Sequence, residues 1–150
     1  MIRVRIIAGL LIACGLASCN QDLNTTIIAK NDVVLDGSQE VPAKSSAGNG
    51  TMNLAYNRTT RTLSYTVKWN SLTGVPVGMH IHGSAGKGAN AAIVQNFSGF
   101  PVTQSGTYTG TFFVDGVSVK EEDFLRGGYY LNIHTAINPG GEIRGQIILQ

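Results

Sequence analysis

The sequence predicts an all-β domain of antiparallel strands, a sandwich or a barrel, and three observations carry that prediction. Apolar and polar residues alternate with a period of two along most of the chain after Val33. Clusters of Gly, Asn, Asp, Ser and Thr break the alternation at short intervals. Helical signals are confined to one short segment after Ser118. Period-two alternation sends successive side chains to opposite faces, so each strand is expected to bury one face and leave the other wet.

The elements follow in order. Met52, Leu54 and Tyr56 form the apolar face of the first clear strand, opposed by Thr51, Asn53 and Ala55. Asn57-Arg58-Thr59-Thr60 turns the chain into Leu63, Tyr65, Val67 and Trp69, so Trp69 is expected in the core. Val77, Met79 and Ile81 oppose Gly78, His80 and His82. A shorter run spans Ile93 to Phe97. Tyr108, Gly110, Phe112 and Val114 follow and end at the Asp115-Gly116 turn. Tyr129, Leu131 and Ile133 alternate with Tyr130, Asn132 and His134. The last strand sets Ile143, Gly145 and Ile147 against Glu142, Arg144 and Gln146. Between the Tyr108–Val114 and Tyr129–His134 strands comes a short helix, for which Ser118 and Glu121 fit a capping box and Gly127-Gly128 a stop. It reads as a crossover connector without chemistry.

The N-terminus reads as an address. Arg3 and Arg5 precede an uncharged run from Ile6 to Leu16, shorter than the roughly 20 apolar residues that a spanning helix needs. Basic start, short apolar stretch and small residues make residues 1–18 a signal peptide. Leu16-Ala17-Ser18-Cys19 resembles the lipobox of bacterial lipoproteins, which implies acylation of Cys19 and a membrane partner through that lipid; Cys14 is the poorer candidate. Residues 19–31 are then a lipidated cysteine and polar tether, and residues 32–150 the domain. Asn20, where an aspartate marks inner-membrane retention in enterobacteria, favours the outer membrane or cell surface of the envelope.

Cysteine count and charge agree with export of a self-sufficient core. Both cysteines, Cys14 and Cys19, lie in the address segment, so the domain has no disulfide to rely on. The chain has 11 Lys+Arg against 9 Asp+Glu; without Arg3 and Arg5 the balance is 9 against 9. No basic patch survives to recruit nucleic acid. The roughly 130 residues after Cys19 suit one domain.

Every histidine falls in two segments, Gly78-Met79-His80-Ile81-His82-Gly83 and Asn132-Ile133-His134-Thr135. His80 and His82, two apart on a strand, share a face at roughly 6–7 Å along the backbone. His134 shares its strand face with Asn132 and Tyr130. If these strands are neighbours, His80, His82 and His134 gather with Asn132, Arg144 and Glu142 on one face. Three neutral imidazoles with an open fourth position suit Zn²⁺ or Cu²⁺, with Glu142 a ligand, an orienting partner or the counter-ion of Arg144. The alternative is that the rings hydrogen-bond loop carbonyls and hold no ion. Gly83 to Gly88 lacks the spacing of a phosphate loop, and its glycines suit tight turns.

The chain resembles the chordin-type (CHRD) domain family over roughly Val33 to Ile148. The resemblance is carried by Leu35-Asp36-Gly37-Ser38-Gln39-Glu40-Val41-Pro42, by the His80–His82 segment, by Tyr130-Leu131-Asn132-Ile133-His134-Thr135, and by Pro139-Gly140-Gly141-Glu142-Ile143-Arg144-Gly145-Gln146. A fainter similarity links Gly78-Met79-His80-Ile81-His82 to the His-x-His strand of copper–zinc superoxide dismutases. Together these imply a Greek-key β-sandwich, dismutase-like or immunoglobulin-like, of about seven to eight strands. Carried over, His80 and His82 would hold copper, with His134 a possible third ligand. Three histidines are too few for a two-metal dismutase.

No serine or cysteine sits in a nucleophile motif, and no paired carboxylates stand near the histidines. The expectation is a lipid-anchored, non-catalytic envelope module that binds a protein or small ligand. The alternative expectation is a mononuclear copper or zinc protein, with redox chemistry one of its uses.

Overall fold

The computed structural model describes residues 26–150. The expected signal peptide, Cys19 and the first part of the tether lie outside the described residues. Eight antiparallel strands form one near-closed sheet: β1 (Ile27–Asp36), β2 (Asn49–Asn57), β3 (Thr62–Asn70), β4 (Pro76–Gly83), β5 (Ile93–Asn96), β6 (Gly106–Phe113), β7 (Tyr129–Thr135) and β8 (Ile143–Gln146). Their order across the sheet is β5-β4-β7-β8-β1-β2-β3-β6. The two outer strands approach each other, and Gln95 of β5 donates through Nε2 to the Thr111 carbonyl of β6 at 3.0 Å. The antiparallel all-β class, the strand number and the single short helix are as the sequence predicts. No helix among the described residues is long and apolar enough to cross a membrane.

The core is built from the alternating residues. Met52, Leu54 and Tyr56 of β2, and Leu63, Tyr65, Val67 and Trp69 of β3, are all buried. Each large apolar side chain taken from water contributes about 1.5–3 kcal/mol before conformational entropy is counted. Trp69 is 1% exposed, and its indole N–H donates to the Thr103 carbonyl at 2.9 Å. Aromatic rings lie flat across facing glycines: Trp69 pairs with Gly106, Tyr65 with Gly110 and Tyr129 with Gly83. A Cβ at any of these glycines would run into the facing ring. Helix α1 (Glu121–Leu125) crosses from β6 to β7 and drops Phe124 onto Tyr56, Phe112 and Tyr129.

Four local readings are corrected. The tether expected over residues 19–31 is strand from Ile27 onward, paired with β2 from Ile27↔Asn57. A register shift between Lys30 and Val33, with Asp32 at φ 55°, breaks the alternation there and hides the strand from a period-two reading. Val77 is 59% exposed rather than buried, because the β4–β7 register shifts between Pro76 and Gly78. The capping box does not form: Lys120 is the helix N-cap, without a side-chain bond. Asp115 instead closes the turn ahead of the helix, accepting from the backbone N–H groups of Val117 and Val119 at 2.8 Å.

The fourth correction concerns the polar face. On β7 and β8 it is not wet. Tyr130, Asn132, Arg144 and Gln146 are each 3% exposed or less. The segment 84–92 covers them: Gln146 Nε2 donates to the Ala85 carbonyl at 2.8 Å and Arg144 to the Gly86 carbonyl at 3.3 Å.

Candidate metal centre

Strand order makes the site. With β4, β7 and β8 adjacent, cross-strand pairing aligns His80, Asn132, Arg144 and Asp36 in one row. His82, Tyr130 and Gln146 form the next row, and His134 lies opposite Gly78. Candidate ligand atoms of His80, His82 and His134 all fall within 4.8 Å of one another. Nitrogens around one tetrahedral ion at about 2.0–2.1 Å stand about 3.3 Å apart, so a shift of about 1.5 Å closes the widest pair. The His80 Nδ1 to His134 Nε2 distance is already 3.1 Å.

Hydrogen bonds set the tautomers. His82 Nδ1 lies 2.9 Å from the Ala91 carbonyl, and His134 Nδ1 lies 2.9 Å from the Pro139 carbonyl. A carbonyl oxygen only accepts, so both Nδ1 atoms carry the proton and both Nε2 atoms present lone pairs. Those lone pairs face Asn132 Oδ1 at 3.1 and 2.9 Å. The Glu40 carboxyl lies beside the Asn132 side chain. Three acceptors therefore converge where only His80 Nδ1–H donates. A cation relieves that surplus. Backbone carbonyls holding the remote ring N–H are the usual support for a metal-bound imidazole.

Electrostatics keep His80 and His134 neutral. Burial, reinforced by His134 and His82, pulls His80 down to about 4. Burial likewise lowers His134. Neutral imidazole is the ligand form, so little proton competition remains near pH 7. His82 stacks on Tyr130 with ring planes 1° apart and centroids at 4.8 Å. The Arg144 guanidinium covers Tyr130 from 3.4 Å. Gly78 leaves room for the His80 ring, which a Cβ there would approach to 3.1 Å.

The sequence-selected residues divide. His80, His82, His134 and Asn132 come together. Arg144 stands one strand away, on Tyr130 rather than on an imidazole. Glu142 does not join them: its carboxylate accepts from Ser46 Oγ, the Thr73 backbone N–H, Thr73 Oγ1 and Thr135 Oγ1 at 2.6–2.7 Å. The β7–β8 ladder ends at Ile133↔Ile143, and Gly141 turns the chain at φ 117°, so strand parity does not extend to Glu142. It is neither ligand nor counter-ion of Arg144. Sequence reasoning missed Glu40, which follows the turn Gly37–Gln39 capped by Asp36. The only signal was its place inside the Leu35–Pro42 segment.

The CHRD domain family model matches residues 32–147. The chain belongs to the CHRD domain family. No curated protein and no solved structure matches it. The CHRD match spans β2 to β8 and the second half of β1, so every residue of the histidine cluster belongs to the family domain.

Proposed function

We propose that this CHRD domain binds one copper or zinc ion through His80, His82 and His134, on a chain lipid-anchored at Cys19 in the bacterial envelope. The observation that carries the reading is the convergence of three imidazoles, two of which, His82 and His134, have their remote N–H groups held by backbone carbonyls. His80 and His134 are half-buried, so water or a small ligand reaches the fourth position. By the usual order of divalent affinities, Cu²⁺ displaces Zn²⁺. No nucleophile–base pair adjoins the rings, so storage, transfer or sensing of the ion fits the residues better than hydrolysis.

Metal content of the purified full-length chain after dialysis against Cu²⁺ or Zn²⁺ tests this. The expected result is one ion per chain, lost in His82→Ala and His134→Ala at unchanged circular dichroism. An apo protein under both conditions sinks it. The anchor has its own test: Cys19→Ala is expected to leave the detergent phase for the aqueous one, and unchanged partitioning contradicts lipidation there.

A further inference from the structure

Asn132 stands among the three histidines. It pairs with His80 across the β4–β7 ladder and precedes His134 by two residues, so it shares that strand face. The residue is 3% exposed. Its Oδ1 lies 3.1 Å from His82 Nε2 and 2.9 Å from His134 Nε2. Both of those nitrogens carry lone pairs, because the Ala91 and Pro139 carbonyls hold the Nδ1 protons. The amide oxygen thus faces two other acceptors, an arrangement that repels and that buried polar groups seldom keep. An ion placed among the three atoms replaces the repulsion by attraction to each.

We propose that Asn132 Oδ1 is itself a ligand of the ion, a fourth protein donor beside His80, His82 and His134. The proposal rests on the metal reading above and adds a residue to it. The donor atoms are then His80 Nδ1, His82 Nε2, His134 Nε2 and Asn132 Oδ1. Three of the six separations among them stand at 2.9–3.1 Å. Ligands of one tetrahedral ion are about 3.3 Å apart, so these atoms already have nearly the spacing of a coordination shell. A side-chain amide oxygen is a neutral and weak donor, of the kind that serves as an axial ligand in some copper sites. Asn132 is buried while His80 and His134 are half-buried, so the amide closes the inner side of the site and leaves the outer side to water. With the amide bound, the position open to water is a fifth one. Three nitrogens, an amide oxygen and a water suit the tetragonal geometry of Cu²⁺ better than a closed four-coordinate zinc site. Copper is therefore the expected occupant.

Electron–nuclear double resonance of the Cu²⁺-loaded full-length protein, prepared with ¹³C-labelled asparagine, tests the assignment. A bonded amide is expected to give isotropic coupling to one side-chain carbonyl carbon, beside the three imidazole couplings. That carbon signal is expected to vanish in Asn132→Asp carrying unlabelled aspartate, while the variant keeps an oxygen donor and one ion per chain. An amide that only hydrogen-bonds the rings gives no isotropic carbon coupling. Asn132→Leu, similar in size but without a donor, is expected to bind Cu²⁺ at least tenfold more weakly in competition with a chelator, at unchanged circular dichroism. Three imidazole couplings without the carbon coupling, or undiminished affinity in Asn132→Leu, overturn the proposal and leave the histidine site standing. A chain that takes up no Cu²⁺ overturns both.

Discussion

Strands β2 and β3 bury one face and wet the other, whereas β7 and β8 bury both. In β3, Leu63, Tyr65, Val67 and Trp69 face the core while Ser64 and Lys68 stand in water. In β8, Ile143 and Gly145 face the core, but Arg144 and Gln146 on the opposite side are no more exposed. The same period-two pattern therefore yields two different environments. What separates them is the covering segment 84–92, contributed by a distant part of the chain. Alternation reports which side faces the apolar core and is silent about what lies over the other side. Where that other side is covered, polar groups must find partners, and β4, β7 and β8 meet this demand with a network running from His80 to Arg144.

The comparison makes graded predictions. Core truncation has the largest effect and does not tell the halves apart. Trp69→Ala in β3 is expected to cost about 3–5 kcal/mol and Leu131→Ala in β7 about 2–5 kcal/mol, read from urea denaturation. Glu142→Gln comes next, at about 1.5–3 kcal/mol, because an amide NH₂ then faces the donors of Ser46, Thr73 and Thr135. Burial alone raises the Glu142 pKa, but those hydrogen bonds outweigh it and hold it below the usual range. Its contribution is thus complete above the unfolded carboxyl value and disappears as pH falls through the lower folded one. Metal content of Glu142→Gln is expected to be unchanged; loss of the ion in the folded variant returns Glu142 to the histidine site.

Polar-face substitutions separate the halves most sharply. Gln146→Ala in β8 is expected to cost about 1–3 kcal/mol, since the Ala85 and Gly127 carbonyls and Arg144 lose partners. Ser64→Ala in β3 is expected to stay within about 0.5 kcal/mol, because water replaces whatever it bonds. Equal effects at the two positions would break the distinction between covered and wet faces. The smallest effect is one of pH. His80 titrates near 4 in the folded chain and near 6.5 unfolded, so protons favour the unfolded state between these values. Without metal, the melting temperature is expected to fall as pH drops from 6.5 toward 4, and His80→Gln is expected to flatten that slope.

Much of the fold was legible for a plain reason: β2 and β3 follow strict alternation and burial follows it residue by residue, while in β7 and β8 the alternation marks only the core-facing side. β1 was not, because its bulge shifts the apolar residues out of phase, and neither was Val77, exposed by a register shift. At the site, His80, His82, His134 and Asn132 could be grouped from strand parity once the strands were neighbours. Glu142 defeated the same argument because it sits one residue outside the ladder. Glu40 and the Ala91 and Pro139 carbonyls reach the cluster through loops, whose placement no periodicity encodes.

The central claim is that the covered face of β4 and β7 presents three imidazole nitrogens to one ion. Pulsed electron paramagnetic resonance of the Cu²⁺-loaded protein, prepared with ¹⁵N-labelled histidine, reads those nitrogens directly. The account predicts one copper per chain coupled to three imidazoles, falling to two in His134→Ala or losing the copper altogether. A copper signal that is insensitive to the histidine label, or unchanged in His134→Ala, would contradict it.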